Sequence, residues 1–270
     1  MKVRRLLERI GVKPEETVGT ALQAGSPYPV RIQPRAYQRE SVRKRGGVEV
    51  FYSPDALAIN QARMAHLESL GLPLAGKRVL DVGAGIGHLA ARLRQMGCAV
   101  SCVEGRQSNV EEMRRRYPDI EGHVADVEKE PLTRFGRFDV VFSYGLLYHL
   151  ENPLLSIRNM ASVCDEMLLL ETIICDHELP VVRIEDESKD SNQALTGLAC
   201  RPSPHYVGLA LSRAGFDFIY APVTPPEHED FRFEWKNNLD SSRDGHNLRC
   251  IFVASRSALN NAKLVSLQAS

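Results

Sequence analysis

The chain has 270 residues, of which 43% are apolar, so it can bury one large core and carry an extension. Its 34 Lys and Arg residues equal its 34 Asp and Glu residues, which excludes a global field that would attract nucleic acid or an acidic membrane. No apolar run approaches the roughly 20 residues that span a bilayer, and none of the six cysteines lies in a CxxC pair. We therefore expect a cytoplasmic protein with no membrane partner, whose cysteines are reduced core residues and not zinc ligands.

Residues 1–76 are expected to form a helical or irregular extension that covers or caps the substrate. Its middle part, Arg31–Arg45, holds six basic residues and one acidic residue. Such a run is typical of a solvated helix face, although it could also bind RNA phosphates or a phosphorylated or sugar-nucleotide substrate. The last helix of the extension has clear signals, since Ser53 is a good N-cap, Pro54 suits the first turn and the sequence GLP ends the pattern.

From Lys77 onward, short apolar runs alternate with amphipathic stretches of roughly 10–15 residues. The apolar runs predict strands that read, in order, RVLDV, AVSCVE, IEGHVAD, FDVVFS, MLLLETII, DFIYAPV and LRCIFVAS. Strands that alternate with helices in this way favour a parallel sheet covered on both faces. The polar stretch between the last two strands is too broken to predict an element, and residues 258–270 are expected to form a frayed or loosely packed tail.

A glycine-rich loop, Gly83–Gly87, follows the first predicted strand and precedes a helix. This context is typical of a nucleotide-binding loop, because glycines let the backbone approach a ligand closely. The spacing G-x-G-x-G differs from the dinucleotide fingerprint G-x-G-x-x-G, since His88 takes the place of the third glycine. Asp81 stands two residues before the first glycine. A carboxylate at that position would repel a pyrophosphate and suits a cationic ligand.

Two further acids end the neighbouring strands. Glu104 ends the second strand, where it can accept both hydroxyls of a ribose, and Asp126 ends the third, where it can accept a hydrogen bond from an adenine amino group. With Asp81 they place three acids on the carboxyl edge of the sheet. The set fits a ligand with a cation, a ribose and an adenine, which is S-adenosylmethionine (SAM).

The order VLDVGAGIG, VEG, VADVEKEPL and FDVVFSYGLLYH resembles the class I SAM-dependent methyltransferase family over roughly residues 50–255. The resemblance implies an α/β, Rossmann-like fold with a seven-stranded, mostly parallel sheet, helices on both faces and an antiparallel last strand. We accordingly expect a SAM-binding domain at 77–257 with a substrate-loop insertion at about 176–203. The resemblance implies that SAM, whose product is S-adenosylhomocysteine (SAH), is held by Asp81, Gly83, Ala84, Gly85, Gly87, Glu104, Gly105, Asp126, Val127, Ser143 and Tyr144.

Transfer of the sulfonium methyl is an in-line displacement, so the enzyme mainly positions the nucleophile and excludes water. A hydroxyl nucleophile also needs a base, and no metal is required in principle. The catalytic candidates flank the fourth and fifth strands and are Tyr148, His149 and Glu171. The substrate-binding candidates are Tyr52, Asp176, His177 and His205. The pair Tyr148-His149 follows the fourth strand, where His149 suits either a base or a residue that shapes the pocket wall.

A narrower resemblance joins FSYGLLYHLENP, LLLETIICD and SPHYVGLALSRAGF to the tRNA wobble-uridine carboxymethyltransferase branch. That branch uses a carboxylated cofactor whose extra carboxylate needs a cation, and no residue of this sequence can be matched to that cation. We therefore expect a SAM-dependent methyltransferase acting on a small-molecule or glycan-like acceptor, with transfer to oxygen. A tRNA-modifying (carboxy)methyltransferase is the alternative, and a SAM-binding regulatory protein without turnover is the second alternative.

Overall fold

The computed structural model describes residues 47–188 and 190–267. The basic segment Arg31–Arg45 and most of the predicted extension lie outside the described residues. The helices are α1 (Pro54–Leu70), α2 (His88–Gln95), α3 (Gln107–Arg116), α4 (Pro153–Ser162) and α5 (Pro204–Arg213). The strands are β1 (Arg78–Val82), β2 (Ala99–Glu104), β3 (Glu121–Val124), β4 (Phe138–Tyr144), β5 (Cys164–Ile173), β6 (Val182–Asp186), β7 (Leu198–Pro202), β8 (Phe218–Pro222), β9 (Ser242–Arg243), β10 (His246–Asn247), β11 (Arg249–Ser255) and β12 (Leu264–Ser266).

Helix α1 begins and ends where its sequence signals place it. The Ser53 hydroxyl accepts a hydrogen bond from the Ala56 amide at 3.2 Å, and Pro54 occupies the first turn. The helix ends at Gly71, whose φ of 65° is in the left-handed region that glycine enters without strain. Both predicted caps of this helix are confirmed.

The main sheet has eight strands in the order β12-β8-β11-β5-β4-β1-β2-β3. The strands from β5 to β3 in this order are parallel, and β11 runs antiparallel to β5 and to β8. The predicted Rossmann-like methyltransferase fold with an antiparallel strand is therefore confirmed. One strand more than the predicted seven is present, because Leu264–Ser266, within the predicted tail, pairs with β8. Three residues are too few for a periodic pattern, so this strand could not be predicted.

Apolar side chains pack on both faces of the sheet, as the alternation predicted. One face buries residues of α4 and α5, including Ile157 and Leu211. The opposite face buries residues of α1, α2 and α3, including Leu67, Leu93 and Met113. The helices thus cover both faces of the sheet, and the parallel strands end at one common edge.

Two short hairpins lie outside the main sheet. Strands β6 and β7 pair with each other within the predicted insertion. Strands β9 and β10, each two residues long, pair within the polar stretch for which no element was predicted. Among the described residues, no helix combines the length and apolar character that crossing a membrane requires.

Candidate active site

The glycine loop after β1 is folded so tightly that only glycine fits at two positions. Gly83 and Gly85 have φ values of 83° and 55°. A Cβ atom on Gly83 would lie 2.7 Å from the Leu146 side chain, and one on Gly85 would lie 2.8 Å from the Phe51 ring. The Gly83 amide also donates a hydrogen bond to the Val103 carbonyl at 2.8 Å. The loop is therefore fixed against β2 and lies at the edge of the sheet where the parallel strands end.

Asp81 is a buried acid near the end of β1. It is 2% exposed, and its Oδ2 atom has no hydrogen-bond partner among the described residues. Burial, together with the charge of Glu104, raises the pKa of the Asp81 carboxyl to about 8. An ionised carboxylate in such a place is unfavourable until a cation approaches it. The orphaned oxygen therefore fits the sulfonium or ammonium end of SAM.

Glu104 ends β2 and is also buried, but it has several donors. Its Oε2 atom accepts the Gly85 amide at 3.0 Å, and its Oε1 atom accepts the Arg106 amide at 3.0 Å and the Asn109 side-chain amide at 3.2 Å. Burial raises the pKa of the Glu104 carboxyl, and these hydrogen bonds oppose the rise. A carboxylate held in one orientation with lone pairs to spare suits a ribose diol.

Two cavities open at the carboxyl edge of the sheet. The strand-end cavity runs along the ends of β1, β2 and β3, and its wall includes Gly83, Gly85, Glu104, Gly105, Asp126 and Val127. The polar cavity lies beside it, and its wall includes Ala84, Tyr144, Tyr148, Arg63, Arg201, Asp230 and Arg249. His149 and Gly145 line both cavities. The two spaces therefore meet where the predicted Tyr-His pair lies.

Three of the predicted cofactor residues contact other groups of the protein. Asp126 lines the strand-end cavity and forms an ion pair with Lys129 at 2.8 Å. The Ser143 hydroxyl is fully buried and donates to the Val82 carbonyl at 3.1 Å. A Cβ on Gly87 would lie 2.8 Å from Met113, so this glycine allows helix packing. Ser143 and Gly87 thus support the loop from behind.

His149 forms a close pair with a carboxylate that the sequence did not single out. Its Nδ1 atom lies 2.5 Å from Oε2 of Glu187, and the histidine side chain is 12% exposed. Burial lowers the pKa of His149, and Glu187 opposes this effect. At neutral pH the ring is therefore uncharged. With Nδ1–H donating to the carboxylate, Nε2 is left as a hydrogen-bond acceptor.

Residues of the segment 191–196 line the strand-end cavity, and we call this segment its cover. Glu187 connects His149 to it. The same Oε2 atom accepts the Ala194 amide at 2.8 Å. Arg106 donates to the carbonyls of Gln193 and Ala194 at 3.0 Å, and Asn109 donates to the Ser191 carbonyl at 2.9 Å. Because Arg106 and Asn109 also hold Glu104, one network joins Glu104 to His149.

Glu171, a predicted catalytic residue, is fully buried between two arginines. Its oxygens lie 2.6 Å from Nη2 of Arg63 and 3.0 Å from Nη1 of Arg249. The guanidinium of Arg249 lies 5.0 Å above the Tyr148 ring, and that of Arg201 lies 5.6 Å from it. Glu171 therefore orients the arginines of the polar cavity, while Tyr148 lies between two cations.

The four predicted substrate residues are not brought to either cavity. Tyr52 packs edge-on against His88 with ring centroids 5.2 Å apart. Asp176 accepts the amides of Lys236 and Asn237 and orders the loop after β5. His177 and His205 line neither cavity. Their participation in substrate binding gains no support from this placement.

The residues missed at the sequence level share one reason for being missed. They are Arg63, Arg106, Asn109, Glu187, Arg201, Asp230 and Arg249. Arg63 and Asn109 lie in helices and Arg201 and Arg249 in strands, but each of the seven has a partner that is distant along the chain. Arg249 gave one usable signal, since it is a cation at the start of the apolar strand β11. Among the described residues, no three His, Cys, Asp or Glu side chains cluster as metal ligands would.

Comparison with known proteins agrees with this geometry. Residues 79–166 match the family described as a methyltransferase domain. Residues 79–166 therefore form a methyltransferase domain, and the fold around it is that of the class I, SAM-dependent methyltransferases, as predicted.

Two curated relatives that match this chain share one name. The chain is 32% identical over 155 residues to a tRNA U34 carboxymethyltransferase of Azotobacter vinelandii, which covers 54% of this chain and 47% of the relative. It is 36% identical over 206 residues to the enzyme of the same name from Trichlorobacter lovleyi, which covers 68% and 63%. The chain thus spans about half the length of several curated relatives that it matches.

Solved structures show the same fold at lower identity. The N-terminal domain of EvdMO1, crystallised in the presence of SAH and D-fucose, aligns with a TM-score of 0.55 and 23% identity over 73% of this chain and 81% of that one. Magnesium protoporphyrin IX methyltransferase from Synechocystis PCC 6803, crystallised with SAM, aligns with a TM-score of 0.51 and 19% identity over 78% and 84%.

Proposed function

We propose that the protein transfers the methyl group of SAM to a hydroxyl of a small, hydroxyl-rich acceptor such as a glycan or glycan precursor. The observation that carries this proposal is the His149–Glu187 pair at the junction of the two cavities. A histidine oriented by a carboxylate is the arrangement that removes a proton from a hydroxyl.

The cofactor would occupy the strand-end cavity. SAM supplies a methyl group on a positively charged sulfur. Asp81 is not on the wall of this cavity, but it directly precedes the wall residue Val82 and would attract the cationic end from that position. Glu104 would accept the ribose hydroxyls, and Asp126 with Val127 would border the adenine. Glu104 and Asp126 line that cavity together. These acids give the cavity the negative character that a sulfonium compound requires.

The acceptor would occupy the polar cavity, with its reacting hydroxyl against Nε2 of His149. As the bond from the acceptor oxygen to the methyl carbon forms and the carbon–sulfur bond breaks, the hydroxyl proton moves to Nε2. Glu187 stabilises the imidazolium that results, because its carboxylate already holds Nδ1–H. Burial makes His149 neutral beforehand, so it is ready to accept the proton.

The charge of the polar cavity supports a neutral acceptor over a phosphate-rich one. Four carboxylates and three guanidiniums line it: Asp55, Glu187, Glu229, Asp230, Arg63, Arg201 and Arg249. A fifth carboxylate, Glu171, is paired behind the wall with two of the arginines. Cations that are already neutralised contribute little to binding a phosphate. The neighbour crystallised with SAH and D-fucose is in keeping with a hydroxyl-rich acceptor.

A tRNA carboxymethyltransferase is the second candidate. The relatives of that name favour it, and the two arginines that flank Tyr148 could meet the carboxylate of a carboxylated cofactor. Against it, Arg249 already pairs with Glu171 and Asp230, and Arg201 lies 3.1 Å from Glu185. A further anion would have to compete with these carboxylates.

An acceptor search with methyl-labelled SAM tests the proposal. Purified protein is incubated with a small-molecule extract and, separately, with total tRNA, and the label is followed in each. We expect label in the hydroxyl-rich small-molecule fraction, lost in His149→Ala and retained in His205→Ala, whose site is an exposed position of α5. Label that enters only tRNA would overturn the proposed acceptor. The same tRNA reaction run with carboxylated SAM distinguishes the second candidate.

A further inference from the structure

The wall of the polar cavity includes a carboxylate and a hydroxyl whose hydrogen-bonding capacity the described residues do not fill. Asp230 is 6% exposed, and its Oδ2 atom is held by Nε of Arg249 at 2.8 Å. Its Oδ1 atom accepts no hydrogen bond from the described residues, although imidazole nitrogens of His228 and His246 lie 3.8 and 3.6 Å away. The Tyr144 hydroxyl, on the same cavity, is also buried without a partner among the described residues. Buried polar atoms are nearly always paired, so the Tyr144 hydroxyl indicates where a ligand would supply a missing group, and the Asp230 Oδ1 atom offers an acceptor on the same wall.

His228 presents a donor beside that carboxylate. Its Nδ1 atom accepts the Asp230 amide at 3.2 Å. With Nδ1 as the acceptor, the N–H of the ring is on Nε2. Because His228 lines the polar cavity, this wall pairs an N–H donor with an open carboxylate oxygen.

The wall is continuous with the proposed base. Arg249 joins Asp230 to the Tyr148 ring, which it covers at 5.0 Å. The Tyr148 ring in turn lies 4.0 Å from the His149 ring, between centroids. A single acceptor could therefore contact Asp230 at one end and His149 at the other.

We propose that Asp230, His228 and the Tyr144 hydroxyl form an acceptor-anchoring subsite for neighbouring hydroxyl groups of a polyhydroxylated ring. The Asp230 Oδ1 atom accepts one hydroxyl, and the Nε2–H of His228 donates to the oxygen of the next. A carboxylate beside an N–H donor matches a diol, in which each oxygen both donates and accepts. The subsite rests on the proposed function for its acceptor class, and it places the non-reacting hydroxyls away from His149.

Binding of simple sugars to the SAH-loaded protein tests the subsite independently of turnover. D-glucose, D-galactose and L-rhamnose serve as neutral probes and ethanolamine as a cationic probe, each titrated by NMR. The variants are Asp230→Asn and His228→Phe, with Glu227→Gln as control because its side chain is 91% exposed. SAH affinity and thermal unfolding report whether each variant is folded.

We expect at least one sugar to bind the wild type, and Asp230→Asn to weaken it by at least about tenfold, as loss of a hydrogen bond to a charged group does. His228→Phe should weaken it by about fivefold, while SAH affinity and the control stay unchanged. Equal sugar binding by wild type and both variants, or binding of ethanolamine alone, overturns the subsite. If Asp230→Asn abolishes sugar binding but no label reaches any hydroxyl acceptor, the subsite stands and the proposed reaction is wrong.

Discussion

Replacing Asp81 with asparagine separates the stability of the fold from cofactor binding. The wild-type carboxyl is buried with an unpartnered oxygen, and its pKa is raised from 3.8 to about 8. Between these two values the unfolded chain has lost the proton while the folded chain keeps it. Stability therefore falls as pH rises from about 4 to about 8, by about 1.4 kcal/mol for each pH unit.

The magnitude at neutral pH follows from this pKa difference. At pH 7 the raised pKa costs the folded state about 4 kcal/mol. Asparagine at position 81 stays neutral in both states and removes that cost. Its buried amide adds an unpaired N–H₂ group, which costs about 1–3 kcal/mol. The Asp81→Asn protein should therefore be more stable than the wild type by about 1–3 kcal/mol at pH 7, and the gain should shrink toward pH 5.

Urea unfolding at several pH values, without cofactor, measures this difference. Calorimetric titration with SAM should at the same time show affinity reduced by at least about tenfold, since the cation loses its carboxylate. The control is Asp119→Asn, whose side chain is 81% exposed and should change neither quantity. The reasoning would be refuted if Asp81→Asn were less stable than the wild type and its free energy of unfolding changed with pH as in the wild type. Unchanged SAM affinity would also refute it.

The other predictions concern the network behind the cavities. Glu171→Gln should lower the free energy of unfolding in urea by about 3–5 kcal/mol, because two buried arginines lose the carboxylate that neutralises them. The control Glu166→Gln, on the surface, should lower it by less than about 1 kcal/mol. Similar losses in the two variants would contradict the buried pairing. Glu187→Gln should reduce kcat and move the acid limb of the pH–rate profile to lower pH, because Glu187 raises the pKa of His149; a lower rate with an unmoved limb would point to a purely structural role. Arg106→Ala should speed backbone hydrogen exchange in residues 191–196, and unchanged protection would rule out its role in holding that cover.

The fold was predictable because its signals are local and repeated. Each buried strand is a short apolar run, and each helix between strands has an apolar side, so the alternation alone indicates a parallel sheet. The strand-end acids were predictable for the same reason. Glu104 and Asp126 follow apolar runs whose ends must meet at one edge, and the structure places both on the strand-end cavity.

The rest of the site could not be predicted from such patterns. Glu187 meets His149 across 38 residues of sequence, and Arg249 meets Glu171 across 78. These partners lie in polar segments or at strand ends, where no periodicity indicates which side chains turn inward. Glu171 illustrates the limit, since an acid ending a strand beside the site looks like a base until its two arginines are seen.

The most direct test of the central claim is the turnover of His149→Ala with a hydroxyl acceptor at saturating SAM. The account predicts that kcat falls by about 10²–10⁴-fold, the usual contribution of a general base. The affinity for SAH should stay within about twofold of the wild-type value, since the proposal assigns cofactor binding to the strand-end acids and not to His149. A His149→Ala protein that is folded and methylates the acceptor at the wild-type rate would contradict the account.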